Sequence, residues 1–464
     1  MKVLGIDFGT TSFSGCIYDC EAAQSWYVTS YNSSHKGAGL KREFDIQKVR
    51  HDLYSFIDKL AGEFDLSEVK AVSVTGNMHS FFLVREGRPI TDIITWQDER
   101  VLEEYKDGLS YVEYVNETYR PWFSKYQHRV SSGYAVTTLL YLLASGILGA
   151  EGFAGCSLHF APDFIVHELI RGPVPIEGAG VTDHSLAHAS GLYALENRDW
   201  NHPLIEAMGY HGIAFPRIAE PGTFLGVVGE HIPCLRGIPV FLGMGDNQAS
   251  VFGALMENGV SRELQDTASS PPVVISMGTS GQVSAVVDSY PEGSELIDCR
   301  PFLDGKILLV GATLACGRAL QTIKDFIQSV ARAICQEEIG DEEAYEILGR
   351  CILPSSPLRF QTTINGTREQ PDKRGSITNI DLTNFTIENV VTAAAYGIVE
   401  ELYDYYREMD IDCGVIIGVG NALRRNAFLV DIVKQVFGKE MRLSKATEAA
   451  SFGAAVCALR GLRF

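Results

Sequence analysis

The chain has 464 residues, 46% apolar and 21% charged, which is material for two large packed cores and carries no signature of disorder. Its formal net charge of −19 repels nucleic acid and anionic lipid at long range and argues against a nucleic-acid regulator or a membrane-surface protein. An anionic ligand such as a nucleotide would need local backbone amides, a few basic groups or a metal ion. In chain order, residues 3–7, 13–18 and 25–30 are short apolar or β-branched runs and predict three strands. Ile46, Val49, Leu53, Phe56, Ile57 and Leu60 recur at three- and four-residue spacing and predict a helix; residues 71–75 predict a further strand. Residues 130–150 carry no charge and are long enough to cross a bilayer. They are interrupted by serines, threonines and glycines, so a buried helix over 137–144 is the better reading.

Residues 239–242 predict a strand that turns through Gly243 and Gly245 toward a helix from Gln248. The second half then begins as the first does. Residues 275–288 lie without a gap on residues 6–19, at an offset of 269, each a strand, a Gly-Thr-Thr/Ser turn and a strand. A chance match of a Gly-Thr-rich hairpin is the alternative to duplication. Strands at 307–310 and 415–418 and helices at 389–407 and 424–437 continue an α/β pattern. Two copies of one domain, 1–245 and 246–464, would leave a cleft for a small ligand. The ten cysteines are scattered with no C-x-x-C pair and read as small buried apolar residues of a reducing compartment. The opening residues turn acidic too soon for an export signal, so the expected location is cytoplasmic.

Gly9-Thr10-Thr11-Ser12 can cradle phosphate: the glycine lets backbone approach, and amides and hydroxyls donate. Asp7 beside such a turn would repel phosphate unless a cation intervenes, which suggests Mg²⁺; an ordinary turn after a strand-ending Asp is the alternative. Gly278-Thr279-Ser280-Gly281 is its counterpart. No G-x-x-x-x-G-K-[ST] occurs, and neither Gly418-Val419-Gly420 nor Gly243-Met244-Gly245 has the third glycine of a dinucleotide fingerprint. His184 and His188, four apart beside Asp183, lack a third ligand and predict no metal site.

The blocks Ile6-Asp7-Phe8-Gly9-Thr10-Thr11-Ser12, Gly76-Asn77-Met78-His79, Trp96-Gln97-Asp98-Glu99-Arg100, Gly243-Met244-Gly245-Asp246-Asn247-Gln248 and Gly278-Thr279-Ser280 stand in the order seen in FGGY carbohydrate kinases. The chain resembles that family from residue 3 to residue 455. The resemblance implies two ribonuclease-H-like domains of the actin, Hsp70 and sugar kinase type, the first binding sugar and phosphate, the second ATP. It makes Asp246 the catalytic base, where its position alone equally suits a helix N-cap. Asp7 becomes the Mg²⁺-associated carboxylate. Met78, His79, Trp96, Gln97, Asp98, Arg100 and Asn247 fall where the sugar is held; an edge strand of mixed polarity would account equally for residues 96–100. Thr10, Thr11, Ser12, Gly278, Thr279, Ser280, Gly311, Gly418, Gly420, Asn421 and Asn426 fall where ATP is held, with structural glycine turns as the alternative.

Within the family the chain is most similar to the sedoheptulokinase branch, through Thr95-Trp96-Gln97-Asp98, residues 132–143, Ile218-Ala219-Glu220-Pro221-Gly222, and Gly366-Thr367-Arg368 followed by Pro371 and Gly375-Ser376-Ile377. It departs in lacking a Lys-x-x-Trp near 132–143, in Thr367 where Gly-Glu-Arg is usual, and in Asn421 where glycine or serine is common. The implied reaction is ATP- and Mg²⁺-dependent phosphorylation of a small ketose, sedoheptulose first and xylulose the rival, without nucleic acid or membrane partners and with a homodimer left open. A chaperone-type ATPase of this fold would lack the Met-His and Trp-Gln-Asp blocks, and a sugar-sensing regulator would need a DNA-binding module.

Overall fold

The apolar runs at the N-terminus become the middle of a six-stranded sheet in a computed structural model that describes residues 1–259, 270–278, 280–289, 295–367, 370 and 372–463. Strands β1 (Lys2–Phe8), β2 (Ser12–Asp19) and β3 (Gln24–Tyr31) form an antiparallel meander. Helix α1 (Ile46–Glu63) crosses over to β4 (Val69–Gly76), which runs parallel to β1. Asp45 caps α1 by accepting from the amides of Gln47 and Lys48, and the six apolar positions of its predicted face are buried. They pack with Leu4, Ile6, Phe13, Val72 and Val74 in one core.

Between β4 and the next strand of this sheet the chain builds a second sheet around β5 (Phe81–Arg85) and the antiparallel β6 (Cys156–Phe160). Helix α2 (Ala135–Ala144) lies within the uncharged stretch, and among the described residues no helix is long and apolar enough to cross a membrane. Helix α3 (Ala161–Ile170), strand β7 (Val181–Asp183), the short α4 (His184–Ala189), β8 (Arg217–Ala219) and β9 (Phe224–Val227) follow. Strand β10 (Pro239–Gly245) then runs parallel to β4 and leads directly into α5 (Asp246–Glu257). The order is β9-β10-β4-β1-β2-β3.

The second sheet system repeats this topology. Strands β11 (Val273–Met277), β12 (Gly281–Val287) and β14 (Ile307–Thr313) form the meander, with β13 (Asp298–Pro301) beyond it. Helices α6 (Cys316–Val330) and α7 (Ile387–Glu408) precede β15 (Ile416–Val419), which is parallel to β11; β16 (Met441–Leu443) adds parallel to β15. With the edge strands β9 and β13 set aside, the five remaining strands of each sheet, numbered in chain order, both read 3-2-1-4-5. The 269-residue offset carries Phe8 onto Met277 and Ser12 onto Gly281, the strand ends that flank the turn within each hairpin. Duplication, rather than a chance hairpin, accounts for a match that extends to the parallel strands. The single helix expected over 424–437 is broken: α8 (Asn421–Arg425) and α9 (Ala427–Phe437) meet at Asn426, whose φ of −128° and ψ of 88° are not helical.

By internal contact one unit comprises Met1–Gly253, Arg300–Lys306 and Glu448–Phe464, and the other Ala254–Cys299 and Ile307–Thr447. The expected division at 245/246 therefore differs in that two later segments return to the first unit. The last helix, α10 (Ala449–Gly461), buries nearly its whole length against β1, β2, β4 and β10. Central strand β1 needs a helix on each face, and Gly5 admits this one: a Cβ there would stand 1.9 Å from the Ser451 carbonyl oxygen. All ten cysteines are free thiols, and Cys234 and Cys335 are exposed, against the expectation that all are buried.

Candidate active site

The turn between β1 and β2 is shaped by side chains that engage its carbonyls. The Gly9 amide donates to the Ser12 carbonyl (2.9 Å). Buried Asn32 donates from Nδ2 to the carbonyls of Gly9 (3.2 Å) and Thr10 (3.0 Å) and from its own amide to Thr11 (2.9 Å). The Thr10 hydroxyl donates to Asn77 Oδ1 (2.7 Å) and accepts from Trp96 Nε1 (3.0 Å), while Asn77 Nδ2 holds the Phe8 carbonyl (2.9 Å). With the carbonyls occupied, the Thr10 and Thr11 amides have no partner among the described residues. Such a turn is polarised to receive an anion.

Asp7, on β1 opposite Ser14 and Thr75, points a carboxylate oxygen toward this turn: a Cβ on Gly9 would lie 3.7 Å from Asp7 Oδ2. Its Oδ1 is buried with no hydrogen-bond partner. Burial above all, then the charges of Asp246 and Glu448, push the Asp7 carboxyl well above the usual carboxylate range. A carboxylate in that setting calls for a cation or a proton. No group of three His, Cys, Asp or Glu side chains among the described residues is arranged to ligate a metal.

Asp246 opens α5 directly from the end of β10. Its Oδ1 accepts from the Asn247 amide (2.8 Å), and the carboxylate also accepts from the Met78 amide. An N-cap side chain would accept from amides two or three residues ahead, so capping is not what holds this one. Burial raises the Asp246 carboxyl to about 6, opposed by the Asn247 amide, the Arg300 charge and the Met78 amide. The Arg300 guanidinium donates to Asn247 Oδ1 (3.1 Å).

The remaining expected sugar residues divide in two. Met78 is buried; His79 has a φ of 65°, pairs its Nδ1 with the Ala189 carbonyl (2.6 Å), and lies 4.5 Å from the Tyr134 ring. Trp96, 47% exposed, and Gln97 sit at the tip of a turn rather than on an edge strand. Hydrogen bonds run from Trp96 through Thr10 to Asn77, and the next residue, Met78, holds Asp246, so these groups share one region. Asp98 and Arg100 are buried and committed to each other, Nε to Oδ1 at 2.7 Å and Nη2 to Oδ2 at 2.8 Å. Asp98 Oδ2 also holds the Arg42 amide, and Arg100 reaches Glu43 (2.6 Å); this pair fixes the base of the turn.

In the second unit the Gly278 amide donates to the Ser280 carbonyl (3.0 Å), a closure one residue tighter than the first turn's, and the Gly278 carbonyl accepts from the Gly317 amide (2.9 Å). Thr279 lies outside the described residues. Gly311 packs under Tyr405 and Gly418 under Met441, so both meet close neighbours of their own unit. Gly420 precedes α8, exposed Asn421 opens it, and Asn426 Nδ2 donates to the Ala422 carbonyl (2.8 Å). His184 pairs with the Tyr193 hydroxyl (2.8 Å) and stands 3.4 Å from Glu220; His188 packs on the same tyrosine ring. Sequence reasoning assigned no role to Asn77, although it lies inside a recognised block. It passed over Arg300 and Glu448, which reach this region only because later segments return to the first unit.

Residues 2–253 match the family model described as FGGY family of carbohydrate kinases, N-terminal domain. The chain is 24% identical to the sedoheptulokinase of Mus musculus over 503 residues and 25% identical to that of Homo sapiens over 504, each covering 98% of this chain and 97% of the relative. A ligand-bound xylulose kinase structure from Lactobacillus acidophilus matches with a TM-score of 0.78 at 18% identity, covering 100% of this chain and 89% of that one, and so shares its fold. The expected α/β fold of two ribonuclease-H-like units is borne out by that likeness and by the repeated strand order. With more than half of its residues inside the family model and relatives aligned over nearly its full length, the chain belongs to the FGGY family of carbohydrate kinases and is an ATP-dependent sugar kinase.

Proposed function

We propose that the enzyme transfers the γ-phosphoryl group of ATP to the terminal hydroxyl of a ketose, with sedoheptulose the preferred acceptor and sedoheptulose 7-phosphate the product. The observation that carries the catalytic part is the setting of Asp246. A carboxyl raised to about 6 by burial is ionised at neutral pH yet basic enough to take a hydroxyl proton. The Met78 and Asn247 amides fix its direction, and phosphoryl transfer depends more on such positioning than on base strength. The exposed Trp96 face suits the apolar side of a sugar ring or chain, and Gln97, His79 and Asn247 suit its hydroxyl rim. Asp98 and Arg100 serve by holding the Trp96 turn.

Thr10, Thr11 and Ser12 would receive phosphate oxygens on the uncommitted amides and hydroxyls of their turn. In the second unit Gly278, Thr279, Ser280, Gly311, Gly418, Gly420, Asn421 and Asn426 would serve the nucleotide. The orphaned, acid-raised Asp7 fits a Mg²⁺ ion that arrives with the nucleotide and is held through water. When bound, that ion neutralises charge on the transferring phosphate.

Sedoheptulose rests on the two relatives that bear its kinase's name and on the blocks shared with that branch. The test is ADP release across sedoheptulose, xylulose, ribulose, fructose and glycerol at equal concentration, for the parent and Asp246→Ala. The parent should show its highest kcat/KM with sedoheptulose, and Asp246→Ala should lose roughly 10²-fold or more in kcat. A higher kcat/KM for xylulose would reassign the acceptor, and near-normal turnover by Asp246→Ala would remove it as the base.

A further inference from the structure

The backbone that presents Asp246 is held by side chains where the sheet itself lets go. Strand β10 pairs regularly with β4 from Val240 to Leu242, then slips before Gly245 meets Gly76. Within that irregular stretch the Met244 carbonyl accepts from the Thr75 hydroxyl, and the Gly245 amide donates to Ser185 Oγ (2.7 Å). Ser185 stands in the first turn of α4, and its hydroxyl proton is committed to Asp183 Oδ2 (2.6 Å). Asp183 is in turn oriented by the amides of Ser185 (2.8 Å) and Leu186 (3.0 Å). With its proton engaged, Ser185 can face Gly245 only as an acceptor, which is what an amide requires.

Gly245 is closed in from the other side as well. A Cβ there would lie 2.6 Å from Met78 Cγ and 3.2 Å from Ser185 Oγ, and the Met78 amide holds the Asp246 carboxylate. Packing alone does not fix the Ser185 side. A small cavity of about 10 Å³ adjoins it, lined by Asp183, Ser185, Met244 and Gln248, and neither polar atom of the buried Gln248 side chain has a partner. The turn therefore has room to shift into this cavity if its hydrogen bond is lost.

We propose that Ser185, oriented by Asp183, is a positioning residue that sets the direction of the Asp246 carboxylate through the Gly245 amide. The inference rests on Asp246 being the base. Ser185→Ala leaves the Gly245 amide unpaired without touching the expected sugar or nucleotide contacts. It should lower kcat roughly 10- to 100-fold, the effect of a base displaced by a fraction of an ångström to an ångström. Sugar affinity, read by titration calorimetry, should stay within about threefold of the parent, and Ser185→Thr, which keeps the hydroxyl, should recover most of the turnover.

A Ser185→Ala enzyme with kcat within about twofold of the parent would overturn the proposal. So would a loss of turnover that runs parallel to lost sugar affinity and a lowered melting temperature, because that is the mark of a merely structural serine. If Ser185→Ala does not fold, Asp183→Asn is read by the same kcat-against-affinity comparison, with the same outcomes supporting or overturning the role. Asp246→Asn in the same assays separates the two readings. Its full turnover would remove the base, whereas an inactive Asp246→Asn beside a fully active Ser185→Ala would remove only the positioning role.

Discussion

Replacing Asp246 by Asn should inactivate the enzyme and at the same time stabilise it, by an amount that grows with pH. The carboxyl titrates near 6 in the folded protein against 3.8 for its ordinary value, a shift whose first cause is burial. The folded state therefore holds this proton more tightly than the unfolded chain between those values. Stability contributed by the site is greatest at low pH and falls as pH rises through about 6, because the folded protein must then carry a buried charge that the unfolded chain carries in water. At about 1.4 kcal/mol per pKa unit the full penalty is on the order of 3 kcal/mol above pH 7, and about half of it is present near pH 5. Asn keeps an acceptor for one of the two amides, Asn247 or Met78, and gives up the other bond, which returns about 1 kcal/mol. Asp246→Asn should thus be more stable than the parent by about 2 kcal/mol at pH 8 and nearly equal to it at pH 5. Thermal melting of both proteins at the two pH values measures this, and kcat with ATP and sedoheptulose should fall roughly 10²-fold in the same variant. A stability difference that does not change between pH 5 and pH 8 would refute the claim that burial raises this carboxyl.

Arg100→Met should leave the buried Asp98 carboxylate, and the partly exposed Glu43, without their cation and cost about 3–5 kcal/mol of stability; chemical denaturation reads it, and a change below about 1 kcal/mol would mean the pair does not hold the turn. Trp96→Ala should raise KM for the sugar by roughly tenfold while leaving KM for ATP within about threefold, since the exposed indole face is assigned to the acceptor and the indole meets the phosphate turn only through its Nε1 bond to the Thr10 hydroxyl, which Asn77 also holds. Gly5→Val should detach α10 from β1, because even a Cβ cannot stand 1.9 Å from the Ser451 carbonyl. Hydrogen exchange over Ala449–Gly461 should rise well above that over α1, and equal protection of the two helices would count against the close packing.

What could be read in the sequence was what depends on neighbours along the chain. The hairpin on either side of Gly9-Thr10-Thr11-Ser12 is local, its strands are short apolar runs bounded by turn residues, and its copy 269 residues later carries a matching Gly-Thr-Ser; strand ends consequently fell within one or two residues of those observed. The helix face of Ile46 to Leu60 was legible for the same reason. Two of the failures are matters of return. α10 reads as an ordinary apolar helix, and nothing in its composition says that it leaves the second unit for the far face of β1. Arg300 carries no motif and gains its place beside Asn247 only through the segment Arg300–Lys306. Asp98 and Arg100 show the converse limit. Their block was recognised, but a motif does not say which of its charged members face a ligand and which neutralise one another, and here two oxygens and two nitrogens at 2.7 and 2.8 Å are already matched. Asp246 illustrates how the two kinds of information combine. Its candidacy came from the recognised block, since the strand–glycine–Asp junction alone equally suits an N-cap, while the property that would let it act as a base, a carboxyl raised to about 6 and aimed by amides from Met78 and Asn247, arises from a strand far earlier in the chain meeting the end of β10. The charge at the site is therefore set by the chain's long-range pairing, and substitutions that loosen the Gly245 junction should alter turnover before they alter the fold.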